Sequence, residues 1–397
     1  MKVLYLVNST LLGGATISFF NMVRELVKFG VEPIIAIPDK QAIQDEHVFR
    51  TLAKECGAKV YKIPITGHLF KKFRDLTGVL EFFGQIIRFF SLWYNEKKSV
   101  NAIKKIINKE SPSIIHTNSG VIRCGWIASR KSHIQHIWHL REYQDLDFKR
   151  VILPSHAAFE NMLNQSNVVA ITKDIYNYFH QEQNTNAHVV YNGVFSINDV
   201  VNNISKEPYF LLCSRISPEK GHHDVIRAFS EFYKVNPNYK LKIAGSYSEN
   251  DAYIQKIKQL AESSGCSEKI EFLGFQKDVK KLLAHAKCLI VASPNEGFGR
   301  MTAEACFMGT LVIGYNTAGT KEILDYTGGV LYDGTIGDLV SKMIFVDKMS
   351  NEDYVKISDR AKERAKALYS IEANGKSIYY IYSQCLKNGI NFNTTSK

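Results

Sequence analysis

Short apolar runs rich in Val, Ile and Tyr alternate with segments of helical period along nearly all of the 397 residues. Such runs predict buried strands, and their alternation with helices is typical of parallel α/β units. The predicted strands are 2–8, 32–38, 59–65, 113–118, 135–142, 167–172 and 187–193 in the first half, and 209–215, 241–245, 269–274, 288–293 and 310–316 in the second. The pattern therefore predicts an α/β protein with two parallel sheets.

The length and one polar stretch predict two domains. A chain of 397 residues exceeds a single ordinary core, and residues 196–208 carry no apolar period and end in proline. We therefore expect one domain over 1–195, a linker over 196–208 and a second domain over 209–369. A hydrophobic content of 45% suits large buried cores and excludes general disorder.

Cysteine usage and the N-terminus both indicate the cytoplasm. The seven cysteines are scattered singly, without a Cys-x-x-Cys pair or a histidine at zinc-ligand spacing, so they are interpreted as buried thiols in a reducing compartment. The apolar run that follows Met1 ends after about six residues, too short for the core of a secretory signal, and is interpreted as the first strand.

The positive charge leaves two interpretations open. Basic residues outnumber acidic ones by 50 to 39, mostly within residues 1–195, which suits a polyanion or an anionic membrane but is common in proteins with neither partner. Within residues 70–94, aromatic and aliphatic residues recur at helical spacing among Lys and Arg. The stretch is too polar to span a bilayer, so it predicts either an interfacial helix or one packed beneath a loop.

The segment ASPNEGFGRMTAEACFMGT, residues 292–310, follows one predicted strand and precedes a predicted helix. Ligands of open α/β sheets bind at such strand ends. Gly297 and Gly299 let a ligand approach the backbone, and the first N–H groups of a helix attract anions. The segment predicts a phosphate-binding turn between Glu296 and Glu304.

Three other patterns are weaker. GFGRMT, residues 297–302, lacks the third glycine of a dinucleotide fingerprint, and ANGKS, residues 373–377, has Ser370 where a P-loop needs glycine. DLD, residues 145–147, resembles a metal-binding Asp-x-Asp pair, but a lone pair of this kind is more often a solvated loop.

Two cations complete the predicted phosphate site. Arg215 and Lys220 flank a Ser-Pro turn at the end of a strand, from which both could hold a pyrophosphate. Together with a helix N-terminus they could stabilise a diphosphate leaving group, so no metal is expected. A glycosidase using Glu296 and Glu304 as acid and base is disfavoured, because hydrolysis needs no phosphate site.

These segments resemble the retaining glycosyltransferases of family 4, over nearly the whole chain. Residues 292–324 are similar to the family's E-x7-E signature, CSRISPEKG (213–221) to its Arg…Lys-Gly element, and VVYNGV (189–194) to its domain-closing strand. LLGGATISFFNMVREL (11–26) is similar to its first glycine loop and helix. IWHLREY (137–143) resembles a segment of capsule and O-antigen members.

The resemblance implies a role for each matching residue. Glu296 would bind hydroxyls of the donor sugar, Glu304 the ribose hydroxyls, Arg215 and Lys220 the diphosphate, and His139 would line the reaction centre. The other donor-binding positions, several of which would act through their backbone, are Gly13, Gly14, Phe275, Val279, Gly297, Phe298, Gly299, Arg300 and Met301.

His139 is preferred to two other histidines, and three positions depart from the family's pattern. His116 and His136 also lie near strand ends, and a lone histidine is often a core group; the position of His139 after the fifth strand favours it. Thr310, Ala318 and Cys213 replace residues that are usual in the family, which affects the fine geometry of the donor site and not the fold.

The resemblance implies a GT-B fold: two Rossmann-like domains facing a cleft, with a last helix over 370–387 returning to the first domain. The implied activity is retaining transfer of a sugar from a UDP- or GDP-linked donor to a glycan or lipid-linked acceptor, in capsule or O-antigen synthesis. Such an enzyme would act in the cytoplasm or at the inner face of the cell membrane, without nucleic acid. The alternatives are a nucleotide-sugar epimerase of the same fold and a non-enzymatic adaptor for membranes or nucleic acid.

Overall fold

A computed structural model describes residues 1–40, 43–71, 79–199 and 205–387. The chain divides into two compact units, the first formed by Met1–Gly193 with the chain from Ile371 onward, and the second by Val194–Ser370. The segment 196–208, predicted as a linker, lies within the second unit as far as it is described. Two polar side chains of this segment bond to the second unit. Lys206 Nζ donates to Ala284 O at 2.7 Å, and Asp199 forms an ion pair with Lys280 at 2.6 Å.

The first unit is built around a parallel sheet. Its strands are β1 Lys2–Leu6, β2 Glu32–Pro38, β3 Lys59–Ile63, β4 Leu69–Lys71, β5 Ile114–Thr117, β6 Gln135–Leu140, β7 Arg150–Ile152, β8 Asn167–Ala170 and β9 Ala187–Val189. Seven of them pair in parallel in the order β3–β2–β1–β5–β6–β8–β9, and β4 and β7 form a separate antiparallel pair. The helices that follow the strands are α1 Gly14–Lys28, α2 Ile43–Glu55, α3 Val79–Glu110, α4 Cys124–Ser132, α5 Asp145–Phe148, α6 His156–Asn164 and α7 Lys173–Tyr178.

Both faces of this sheet are covered, which is why its strands are almost continuously apolar. Successive side chains of a strand point to opposite faces. Val3 and Tyr5 accordingly join the core that packs against α1, whereas Leu4 and Leu6 join the core that packs against α3 and α4.

The second unit repeats the design with six parallel strands. They are β10 Glu207–Cys213, β11 Lys240–Ala244, β12 Ile270–Gly274, β13 Ala286–Val291, β14 Leu311–Tyr315 and β15 Val330–Tyr332, in the order β12–β11–β10–β13–β14–β15. Its helices are α8 His222–Tyr233, α9 Ala252–Glu262, α10 Lys280–His285, α11 Arg300–Phe307, α12 Ala318–Thr327, α13 Ile336–Lys348 and α14 Asn351–Tyr369. This is the 3-2-1-4-5-6 order of a Rossmann sheet, with the switch point between β10 and β13.

The last described helix, α15 Ile371–Lys387, belongs to the first unit and packs on α1. A Cβ on Gly375 would lie 2.4 Å from that of Glu25, so only glycine permits this contact. Phe29 and Tyr379 stack with their ring centroids 4.8 Å apart. The ANGKS segment is therefore a helix buried against a neighbour, and not a phosphate-binding loop.

The predicted fold class is confirmed. Each of the twelve predicted strands has a counterpart, most of which end earlier than predicted: the strand expected over 135–142 ends at Leu140, and Arg141 and Glu142 leave the sheet. The polar residues at these carboxyl ends turn out of the ladder to form the sites described next.

Candidate active site

A glycine brings the loops after β10 and β13 together at the switch point of the second unit. Gly221 has a φ of +72°, and a Cβ there would lie 2.6 Å from both the Cβ and the carbonyl oxygen of Ala292. The neighbouring Lys220 therefore reaches the loop after β13, where its Nζ lies 2.6 Å from Glu296 Oε1. The two residues that the sequence assigned to phosphate and sugar are direct partners.

The Lys220–Glu296 pair is accessible to solvent. Its side chains are 22% and 23% exposed, so water competes for both charges. Ion pairs of this kind contribute about 1 kcal/mol or less to stability. Either partner can therefore exchange its contact for a ligand's phosphate or hydroxyl at small cost.

The Gly-Phe-Gly turn leads directly into α11. Gly299 caps this helix with a φ of +80° and a ψ of 52°, a left-handed conformation that favours glycine. The first N–H groups of a helix have no acceptor within it and carry its partial positive charge. Phe298 anchors the turn to the core of the unit, because its buried ring packs on Tyr369 with the ring centroids 5.8 Å apart.

A second helix begins beside the same turn. The N–H of Gly319, at the start of α12, donates to Glu296 O at 2.9 Å, and a Cβ there would lie 2.6 Å from Phe298 O. The hydroxyls of Thr302 on α11 and Thr320 on α12 are buried and have no hydrogen-bond partner among the described residues. A Cβ placed on Gly299 would lie within 3.4 Å of both hydroxyls, so they flank the turn.

Sequence reasoning gave these threonines no role. Thr302 stands where GFGRMT lacks the third glycine of a dinucleotide fingerprint. The available signal was a hydroxyl in the first turn of each helix, where Ser and Thr can supply donors beside the backbone amides.

Glu304 lies one turn further along α11 and is almost fully buried. Its Oε1 lies 2.6 Å from Arg300 Nε. Burial raises the pKa of the Glu304 carboxyl, opposed by the charges of Arg300 and Lys280. In the described structure Arg300 thus forms an ion pair with Glu304, the carboxylate that the sequence assigned to the ribose hydroxyls.

The remaining predicted residues of the second unit lie further out. Arg215 is largely exposed and pairs with Glu219 at 2.9 Å, within its own loop. Phe275, 74% exposed, follows β12 at the same edge of the sheet, and Val279 caps α10, its carbonyl accepting from Leu283 N at 2.9 Å. Met301 is partly buried in the first turn of α11, and Gly297 is partly buried in the turn before it.

In the first unit, Gly13 and Gly14 begin α1 after strand β1. Gly13 caps the helix in an extended conformation, and a Cβ on it would meet no atom within 4 Å. Packing therefore gives no reason for glycine at residue 13, which leaves close approach of a ligand as the reason to test.

His139 lies on β6 at the centre of a buried network. Its Nδ1 is 3.1 Å from His116 Nε2 and 3.4 Å from Arg141 Nη2, and His116 Nδ1 is 2.6 Å from Tyr382 Oη on α15. Burial, with the nearby charge of Arg141, holds the pKa of both histidines well below their usual range, so both are neutral. His136 instead contacts Thr117 Oγ1 at 2.8 Å.

Arg141 fixes the tautomers of this network. A guanidinium only donates, so His139 Nδ1 is an acceptor and its proton is on Nε2. Arg141 also donates to Asn118 Oδ1 at 2.9 Å and to Asn192 Oδ1 at 2.7 Å. The Nε2–H of His139 is buried and has no partner within the described part of the chain, so one hydrogen-bond donor remains available.

Glu142 is a residue that sequence reasoning passed over. It follows β6 and accepts hydrogen bonds from Ser119 Oγ and, at 3.0 Å, from Gly120 N, both in the loop after β5. Burial raises the pKa of the Glu142 carboxyl to about 7, although Ser119 and Arg141 oppose the shift. An acid that titrates near neutrality between the loops that follow β5 and β6 is a candidate functional group.

The DLD segment has a structural role in α5. Asp145 accepts from Tyr178 Oη at 2.8 Å, and Asp147 accepts from Tyr143 N at 2.7 Å. Among the residues that the structure describes, no group of three or more His, Cys, Asp or Glu side chains is placed to hold a metal ion.

Comparison with known families identifies the chain. A model described as Glycosyltransferase Family 4 matches residues 12–195, and one described as Glycosyl transferases group 1 matches residues 195–365. The chain belongs to the group 1 and family 4 glycosyltransferases. The membership of a glycosyltransferase family that was predicted from the E-x7-E segment and the glycine loops is thereby confirmed.

Three relatives are similar to parts of this glycosyltransferase. An uncharacterised glycosyltransferase of Methanocaldococcus jannaschii is 30% identical over 124 residues, covering 31% of this chain and 30% of the relative. Lipopolysaccharide core biosynthesis glycosyltransferase LpsE of Rhizobium meliloti is 25% identical over 42% of this chain and 47% of its own. N-acetyl-alpha-D-glucosaminyl L-malate synthase of Bacillus anthracis is 26% identical over 60% and 67%. The chain thus spans less than half the length of two of the three.

Solved structures extend the similarity to the whole chain. Alr3699/HepE of Anabaena, solved with UDP, has a TM-score of 0.76 at 18% identity and covers 97% of this chain and 100% of its own. A glycosyltransferase of Rickettsia africae has a TM-score of 0.74 at 19% identity and covers 98% and 99%. At these identities the comparison establishes the shared GT-B fold.

Proposed function

We propose that this glycosyltransferase moves a sugar from a UDP- or GDP-linked donor to a glycan or lipid-linked acceptor, with retention of the anomeric configuration. One observation carries the proposal. At the switch point of the second unit, an accessible Lys220–Glu296 pair lies beside the glycine turn that begins α11. Cation, helix N-terminus and carboxylate match the diphosphate and sugar of one nucleotide sugar.

The donor would replace the contacts present in the described structure. Lys220 would leave Glu296 for a phosphate oxygen, and Glu296 would then accept from sugar hydroxyls. The buried hydroxyls of Thr302 and Thr320 would donate to the phosphates beside the α11 amides. Arg215, which is exposed and pairs with Glu219, would turn toward the same diphosphate.

The reaction would place its developing negative charge on this site. The bond from the anomeric carbon to the phosphate oxygen breaks with its electron pair on that oxygen, and the acceptor oxygen bonds to the same face of the sugar. The acceptor's proton passes to the departing phosphate. Donors fixed around the diphosphate lower the barrier because they need no reorganisation as the charge forms.

The first unit would supply His139. Its neutral Nε2–H is a buried donor that lacks a partner among the described residues, which is unfavourable by about 1–3 kcal/mol. A sugar hydroxyl oxygen at this position would satisfy it. We assign His139 to binding of the transferred sugar, and Gly13 and Gly14 to close approach of the donor phosphates.

The relatives support a polysaccharide or lipid-linked acceptor. LpsE is named for lipopolysaccharide core biosynthesis, which suggests such an acceptor. HepE was solved with UDP-glucose, which supports a UDP-linked donor. By analogy we propose a role in cell-surface polysaccharide synthesis, such as capsule or O-antigen, in the cytoplasm or at the inner face of the membrane.

A panel of nucleotide sugars tests the proposal. A true donor should raise the melting temperature of the purified chain in a concentration-dependent way, while its competitors do not. That donor is then incubated with lipid-linked and free glycan acceptors, and the anomeric configuration of the product is read by NMR. A sugar isomer formed from donor alone would indicate an epimerase, and an inverted anomer would contradict retention.

A further inference from the structure

Helix α3 carries an exposed aromatic face that the proposed function does not use. The helix has 32 residues, about 48 Å at 1.5 Å per residue. Its C-terminal half is held by buried residues of the core beneath the sheet: Val100, Ile103, Ile106 and Ile107. Its other half presents large apolar side chains to solvent. We define the α3 face as Phe83, Ile87, Phe90, Trp93 and Tyr94.

The five side chains of the α3 face form one stripe. Positions 83, 87, 90 and 94 recur at intervals of four, three and four, so they share one side of the helix, with Trp93 beside them. Each is between 56% and 70% exposed. Phe89 is not part of the stripe, since its ring lies 6.3 Å from that of the buried Phe70.

The charges around the α3 face are cationic. Lys97 Nζ lies 5.7 Å from the Trp93 ring centroid and Lys98 Nζ lies 4.4 Å from that of Tyr94. From Phe83 to Lys98 the only acidic residue in the sequence is Glu96, and its carboxylate is bound by Nε and Nη2 of Arg123, at 2.5 and 3.0 Å. The face thus combines exposed aromatics with lysines and no uncompensated negative charge of its own.

We propose that the α3 face docks on an anionic lipid bilayer, with the helix lying in the interface. A bilayer of anionic headgroups matches both halves of the chemistry: Trp and Tyr favour the headgroup boundary, and lysines beside them attract anionic lipid. None of the helices in the described ranges is long and apolar enough to cross a membrane, so α3 would lie on the surface. This inference stands on the α3 surface alone and not on the donor site.

Co-flotation with vesicles tests the proposal on the full chain. We expect binding to phosphatidylcholine vesicles that contain phosphatidylglycerol, weakening with salt, and much less binding to pure phosphatidylcholine. Phe90→Ser with Trp93→Ser should weaken binding about a hundredfold, and each of Lys97→Gln and Lys98→Gln about fivefold.

A matched control uses an exposed pair on the second unit, Val355→Ser with Lys356→Gln, which should bind vesicles like the wild type. All variants change exposed side chains, and an unchanged melting temperature verifies their folding. A blue shift of fluorescence on vesicle addition, lost in Trp93→Phe, would place that residue in lipid. Three results would overturn the proposal: no binding to anionic vesicles, binding undiminished in the α3 variants, or a self-association in ultracentrifugation that these variants abolish.

Discussion

At the switch point of the second unit the charged side chains are partly exposed and paired with each other, whereas on and after β5 and β6 of the first unit a chain of neutral histidines and one arginine is buried. Lys220 and Glu296 meet within reach of water, but His116 and His139 do not. The same strand order therefore supports two kinds of site. Exposed ion pairs can exchange partners for a charged ligand, while a buried hydrogen-bonded network holds its groups, including the Nε2–H of His139, in fixed positions.

The sharpest test of this comparison is Lys220→Ala. If the lysine acts on the departing diphosphate, kcat/KM should fall by about 10²–10³, comparable to the loss of one oxyanion donor. Stability should change little, because the pair is accessible. The matched control is Lys258→Ala, which removes another ion-paired lysine of the same unit, 2.8 Å from Glu249. Equal activities of the two variants would remove Lys220 from the site.

Tyr382→Phe is the corresponding change in the first unit. It removes the hydroxyl that lies 2.6 Å from His116 Nδ1 and leaves a buried ring nitrogen without its partner. We expect a loss of about 2 kcal/mol in the free energy of unfolding in urea, with the thermal shift by nucleotide retained. Tyr380→Phe, on the exposed side of the same helix, is the control. A similar loss in both variants would show that the network contributes nothing.

Acid should weaken the first unit through its buried histidines. Burial lowers the pKa of His136 to about 3, so below pH 6.5 the unfolded chain binds a proton that the folded chain does not. The contribution of His136 to stability is then complete above pH 6.5 and falls by about 1.4 kcal/mol per pH unit between pH 6.5 and about 3. Glu142, with its raised pKa, acts in the opposite direction between about pH 7 and 4.5.

Unfolding of His136→Gln at pH 7.5 and 5.5 measures this effect. The variant should lose about 1.4 kcal/mol less than the wild type between the two values. His47→Gln, at an exposed position of the same unit, should lose as much as the wild type. The prediction concerns the change in unfolding free energy between the two pH values, so any destabilisation by the substitution that does not depend on pH cancels.

The smallest expected effect is that of Gly13→Ala. A Cβ there meets nothing within 4 Å, but alanine is a poorer N-cap than glycine, so stability should change by no more than about 1 kcal/mol. If a phosphate approaches this backbone, the donor KM should rise by up to about tenfold. Gly337→Ala, equally unhindered in the second unit, is the control; an unchanged KM at residue 13 would leave its glycine without a donor role.

The two sheets could be predicted from the sequence because buried parallel strands appear in it as apolar runs. The side-chain contacts of the candidate site could not be predicted in this way. No strand was predicted at β4, β7 or β15, because each has only three residues, which are too few to show an apolar pattern. The ion pair between Arg300 and Glu304 follows from their spacing of four residues on a helix. The burial of this pair depends on tertiary packing, which a local sequence pattern does not show. Glu142 likewise becomes notable only when the loops after β5 and β6 are brought side by side.

The position of α15 affects the order in which the two units can complete their folding. Residues 194–370 are contiguous and can assemble as they leave the ribosome, but the first unit needs Ile378, Ile381 and Tyr382 from α15 to complete its core. Its earlier residues emerge first and still wait for the later unit to be translated. The core that α1 shares with α15 can therefore close only after the second unit has been translated, although most of the first unit is made before it.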